Sequence, residues 1–156
     1  MQAKAYARIG DAAACIDQLG MAEAETAHIV ETNEPAETGY VQPGNTKIKQ
    51  AEALLKLGDT TAATYCAREA VESGDKINLR ACVYGLATLS MTLAASAQVE
   101  ESAAHAHRTL DEATGMESWR IRDRLTTMTE ALRPFDQTPA AREFLERADA
   151  ALSVRL

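Results

Sequence analysis

Ile121, Leu125, Met128 and Leu132 step by four, three and four, the spacing that sets apolar side chains on one face of a helix. A second stripe runs through Ala141, Phe144, Leu145, Ala148 and Leu152. Between them Arg133-Pro134 stops the first helix, and Thr138-Pro139 offers the next an N-cap and a proline at its first position. Upstream the stripes are made of small residues: Ala63, Ala67 and Ala70, then Ser102, Ala106 and Thr109. The pattern predicts helices over 2–9, 12–30, 46–57, 60–73, 76–96, 99–113, 118–133 and 139–154. Residues 31–45 carry two Pro and two Gly with no helical period, and are expected to form one long loop.

The helical stretches repeat. Ala3 to Gly10-Asp11 lies over Ala51 to Gly58-Asp59 at an offset of 48, each with Ala-rich helix following. A third copy follows at an offset of 39, with Ala97-Gln98 in place of Gly-Asp. Each copy reads as helix, tight turn, helix. Glycine supplies the positive φ that ends one helix, and aspartate accepts the free N–H groups that open the next. The 31–45 insertion accounts for the longer first spacing.

Composition narrows the fold further. The 156 residues include 31 Ala and 14 Leu, while aromatics make up only 4%. Alanine is the strongest helix former, and a core built from it lets backbones approach closely. A sheet protein is therefore nearly excluded, and no run reaches the roughly 20 apolar residues of a membrane span. The net charge of −7 argues against unaided nucleic-acid binding. Cys15, Cys66 and Cys82 lack C-x-x-C spacing, and no secretory leader is recognisable, so a reducing cytoplasm is expected. All three read as small core residues.

Small residues at the eighth, twentieth and twenty-seventh positions of a helical pair resemble a tetratricopeptide repeat. With the turn glycine at position fifteen, Ala3, Ala51 and Ser90 fall at eight; Cys15, Ala63 and Ser102 at twenty; Ala22, Ala70 and Thr109 at twenty-seven. Glu37-Thr-Gly-Tyr40, Gln50 to Asp59, and Ser118 to Leu125 with Leu132-Arg-Pro134 are similar to the C-terminal repeat region of actinobacterial helix-turn-helix transcriptional regulators. The resemblance implies an all-α, right-handed solenoid of about four antiparallel helix pairs, forming one domain over 1–156. Its aromatic and proline positions match poorly. The first repeat lacks its opening positions and no DNA reader is seen, so the chain is expected to be a piece of a larger protein or a freestanding relative.

That register assigns a groove. First helices line the concave face of such a stack, which places Lys4, Ala7 and Arg8; Asn45, Ile48, Glu52, Leu55 and Lys56; and Tyr84, Ala87, Met91, Ala94 and Ala95 towards a ligand. Arg120 and Arg124 join from the fourth pair. Basic at its ends and apolar at the third pair, this lining suits a peptide, a partner protein or a small acidic ligand. Trp119 is expected to staple a helix start rather than anchor a partner, and Arg120, Arg122, Arg124 and Arg133 to form a solvated face with Asp123 and Glu130.

Other chemistries find little support. His105 and His107 are two apart on a helix, whereas zinc pairs need three or four; no metal or cofactor is expected. Phosphate-cradling glycine motifs and a nucleophile elbow are lacking, so no catalytic residue is assigned. Glu100-Glu101 sit at a helix start, where they favour the macrodipole. The expectation is a non-catalytic sensor or interaction module of a bacterial regulator, able to homodimerise, with no contact to nucleic acid or membrane. The competing reading is a freestanding adaptor that senses nothing.

Overall fold

Gly10 and Gly58 adopt φ of +77° and +84°, ending their helices in the left-handed region. In both turns the Asp N–H donates five residues back, Asp11 to the Tyr6 carbonyl at 3.0 Å and Asp59 to Leu54 at 3.1 Å. The same aspartates then accept the N–H groups of Ala14 and Ala62 at 3.0 Å, opening the next helix. Ala97 and Gln98 build the same turn without either residue type. Ala97 takes φ +57°, and Gln98 N–H donates to the Leu93 carbonyl at 2.9 Å. Gln98 makes no side-chain cap.

The computed structural model describes residues 2–32, 43–74 and 79–153. These form eight α-helices and one short 3-10 turn: α1 (Gln2–Ile9), α2 (Ala12–Thr32), α3 (Pro43–Leu57), α4 (Thr60–Gly74), α5 (Leu79–Ala95), α6 (Val99–Ala113), α7 (Trp119–Leu132), the turn Arg133–Phe135, and α8 (Pro139–Ser153). No strand occurs among the described residues, and no helix there is long and apolar enough to cross a membrane. Both ends of the loop expected over 31–45 are helical, 31–32 in α2 and 43–45 in α3. Pro43 occupies the first position of α3, where its missing N–H costs nothing, and Asn45 is already helical. Most of that segment, and residues 76–78 of the helix expected over 76–96, lie outside the described residues.

Successive helices pack in pairs, α1 on α2, α3 on α4, α5 on α6 and α7 on α8. Each of α3, α5 and α7 also touches both helices of the pair before it. Small residues permit that notch packing: Ala51, Ala63, Ala67, Ala103 and Ala106 are fully buried. Gly85 also faces Val71 across this contact, with room for a Cβ at ordinary van der Waals distance, 3.5 Å. Ser90 and Ser102, at equivalent small positions, are buried and bonded across α5 and α6, Ser102 Oγ donating to the Ser90 carbonyl at 2.8 Å.

The core is uneven. Its largest cluster joins Val83, Met91, Ile121, Leu125, Met128, Leu132 and Phe144 across α5 to α8. At the other end, among the described residues, a small cluster centres on Ala7, Cys15 and Ala53. Polar links supplement them: Lys47 of α3 meets Glu23 of α2 at 2.6 Å and Glu69 of α4 at 2.9 Å. Those two carboxylates outweigh the burial that opposes the Lys47 charge, so its pKa lies above the ordinary lysine value.

Candidate functional site

The first helices carry a cluster of charge. Lys4 and Arg8 are four apart on α1, Glu52 and Lys56 four apart on α3, and Tyr84 and Thr88 four apart on α5. Such spacing stacks each pair on one helix face. α1 packs on α3, α3 on α5 and α5 on α7, and Arg124 of α7 completes the set. Around them lies a pocket of about 230 Å³, lined by Lys4, Arg8, Glu52, Lys56 and Arg124, with Ala7 and Ala53 also contributing.

Glu52 is the hub. Its carboxylate pairs with Arg124 at 2.8 Å, with Lys49 at 3.4 Å, and with Lys4. Burial pushes the carboxyl up, but Arg124, Lys4 and Lys49 outweigh it and hold its pKa below the ordinary value. The Lys49 pKa is also lowered, but here the charged form is disfavoured: burial lowers it and Glu52 only partly restores it, against Lys4 and Arg124. One carboxylate is thus shared among three cations.

Arg124 is held on several sides. Its guanidinium also donates to Thr88 Oγ1 and lies 5.4 Å from the Tyr84 ring centroid. Thr88 Oγ1 in turn donates to the Tyr84 carbonyl at 2.7 Å, and Tyr84 Oη donates to the Arg120 carbonyl at 3.3 Å. Arg124 Nε is buried without an acceptor among the described residues. Arg8 and Lys56 are exposed, and neither makes an ion pair among the described residues. The pocket therefore combines a fixed inner pair with two uncommitted cations at its rim.

No family model, curated protein or solved structure matches this chain. The geometry of its own residues therefore carries the functional reading.

Of the ten expected groove residues, Lys4, Arg8, Glu52, Lys56 and Arg124 come together, with Tyr84 behind them. Ile48 and Met91 do not offer a surface. Ile48 is buried, and Met91 sits in the large cluster that the apolar stripe of α7 joins. Ala87 and Ala94 are buried there too, so the third pair presents no broad apolar lining. Asn45 is half-buried on the first turn of α3. Arg120 is exposed, its guanidinium 5.9 Å from the Trp119 ring.

Two further expectations need correction. Trp119 is 74% exposed, so it does not staple the start of α7; Met116 packs on the core just before that helix. The four arginines do not form one solvated face. Arg122 donates to the Leu152 carbonyl and Arg133 pairs with Glu130 at 3.0 Å and Asp149 at 3.3 Å, while Arg124 turns inward. Sequence reasoning missed Lys49 and Thr88, although the i,i+4 pairing of Thr88 with Tyr84 was visible.

Cys15 and Cys82 are buried and Cys66 half-buried, and none of the three is in a disulfide. Burial pushes the Cys15 and Cys66 thiols up, away from the reactive thiolate. His107 meets Phe144 edge-on at 5.5 Å, and its Nδ1 lies 3.2 Å from Arg147 Nη1. No cluster of three His, Cys, Asp or Glu side chains comes together among the described residues.

Proposed function

We propose that the chain is a non-catalytic interaction module of tetratricopeptide-like build, a right-handed stack of about four antiparallel helix pairs. It takes an acidic segment of a partner protein in the groove formed by α1, α3, α5 and α7. The observation that carries this reading is the pocket of Lys4, Arg8, Lys56 and Arg124 around one carboxylate, in a chain whose net charge is −7. Local positive charge held against the overall sign attracts anions to one place. The threefold recurrence of the helix turns, with each later first helix lying in the notch of the pair before, supports the stacked-repeat part.

Glu52 acts as a built-in competitor. An incoming carboxylate meets Arg8 and Lys56 first, then shares Lys4 and Arg124 with Glu52. In a bacterial transcriptional regulator this module would serve as the sensor, with groove occupancy favouring one arrangement of its helix pairs. Such a shift requires different affinities for the two arrangements.

Fluorescence anisotropy with a labelled Glu-rich peptide tests the groove. Arg8→Glu with Lys56→Glu is expected to weaken binding at least about tenfold, and Glu52→Gln to strengthen it. Equal affinity for all three proteins would overturn the assignment.

A further inference from the structure

Arg8 of α1, Lys56 of α3 and Arg124 of α7 reach the pocket in the groove from three different helices, and Lys4 lies one turn before Arg8. Ala7 and Ala53 line the space between them and are both buried, so only methyl groups stand where longer side chains would fill it. The volume, about 230 Å³, is smaller than the roughly 300–1,000 Å³ of sites that enclose a whole small molecule. It suits the end of one side chain presented by a longer segment. Arg124 bonds Glu52 and Thr88 through Nη2, which leaves the N–H groups of Nη1 for a ligand. Arg8 and Lys56 stand exposed at the rim.

Charge decides which side chain. The lining holds four cations and one carboxylate, that of Glu52. Arg8 and Lys56 also occupy the last turns of α1 and α3, whose carbonyl ends each carry about half a negative charge. Together these groups leave a surplus of about two positive charges. A carboxylate brings one negative charge and two oxygens in a plane. A phosphoryl group brings a charge of about −1.5 to −2 and three strongly accepting oxygens splayed around phosphorus. Three oxygens match donors that arrive from three helices, and guanidinium–phosphate bonds are charge-assisted and often bidentate. The greater charge also lets such a group compete with Glu52, which already holds Lys4 and Arg124.

We propose that the acidic group seated in this pocket is a phosphorylated serine or threonine of the partner segment, its phosphoryl oxygens meeting Arg8, Lys56 and Arg124. Lys4 then divides its charge between the phosphoryl group and Glu52. The assignment rests on the groove proposed above and names the residue that the groove selects. Serine and threonine carry the phosphoryl group on a short side chain, so the segment itself runs close over the exposed rim. Docking thereby follows the phosphorylation state of the partner.

The test is fluorescence anisotropy of the full chain with two labelled peptides of equal charge, Glu-Glu-phosphoserine-Gly-Glu-Glu and a run of six Glu. At pH 7.5 the phosphopeptide is expected to bind at least about tenfold more tightly. That advantage should fall severalfold by pH 5, because the phosphoryl group takes up its second proton near pH 6 whereas glutamate titrates near about 4.3. Combining Arg8→Gln with Lys56→Gln, both exposed and so tolerated by the fold, should bring the two peptides to within about twofold. Equal binding of both peptides at pH 7.5, still weakened by that double change, would overturn the phosphoryl assignment and leave the acidic groove standing. An advantage undiminished at pH 5 would also overturn it. Failure of either peptide to bind would remove the groove as well. Inorganic phosphate that displaces the label as effectively as unlabelled phosphopeptide would give the pocket to a free anion and overturn the partner segment as its source.

Discussion

Glu52 Oε1 lies 2.8 Å from Arg124 Nη2, joining α3 to α7 past the intervening α5. Both side chains are largely buried, at 14% and 13% exposure. Removing one member of such a pair leaves the other charge poorly solvated, a penalty that exceeds the value of an exposed pair. Arg124→Met alone is expected to lower stability by about 2–4 kcal/mol, read as a shift in urea midpoint. Combining it with Glu52→Leu should recover part of that loss, since neither buried charge of the pair then remains, while Lys4 and Lys49 exchange their carboxylate for solvent. Strictly additive losses in the double-mutant cycle would contradict the coupling.

The third turn offers a gain. Ala97 holds a left-handed backbone that glycine adopts freely, and Gln98 leaves the start of α6 without a side-chain cap. Ala97→Gly should stabilise by about 1 kcal/mol and Gln98→Asp by about 0.5–1 kcal/mol. Thermal melts of the single and double variants check both. A fall in melting temperature for either would show that the turn is constrained by something other than its own backbone.

The alanine contacts predict opposite responses to size. Ala67 is fully buried between helices, so Ala67→Leu should force α4 away from its neighbours and cost about 1–3 kcal/mol. Leu125 is 1% exposed in the large cluster, and Leu125→Ala should leave a cavity and cost about 2–5 kcal/mol. Chemical denaturation of both variants measures the two effects.

Acid should act in two stages. Burial pushes the His105 imidazole below its ordinary value of about 6.5, with Glu101 opposing and Arg68 and Arg108 assisting. As pH falls, the unfolded chain binds this proton first. Stability is therefore present above about 6.5 and lost as pH falls through the folded value, at no more than about 1.4 kcal/mol per pH unit. The carboxyl of Glu52 is also held low, so its contribution is lost later, between the ordinary carboxylate range and its lower folded value. His105→Gln should remove the first stage only. Denaturation midpoints at pH 7.5, 5.5 and 4 resolve them, and an unchanged slope in His105→Gln would reject the assignment.

The turns were legible because their causes are local. Gly58 and Asp59 act within six residues, so the boundary between α3 and α4 follows from the chain itself. The stripe Ile121, Leu125, Met128 and Leu132 correctly gave the buried face of α7. Pro43 misled because a proline both interrupts a helix and opens one, and only the packing of α3 selects the second role.

The meeting of several charged side chains was legible for a related reason. Lys4 and Arg8, and Glu52 and Lys56, are four apart on α1 and on α3, and the packing of those two helices brings all four to one pocket. Met91 failed because the repeat register says nothing of how α7 settles on α5. Trp119 failed because a residue at a helix start can turn either way, and Met116 closes the core there instead.

The sequence by itself determined the helices, their turns and the small residues that let them approach, because capping and periodicity act over a few residues. The tertiary structure alone decided that Glu52 would meet Arg124 and that Met91 would be covered. Those outcomes depend on distances between helices far apart in the chain, which interhelix packing sets and local pattern does not encode.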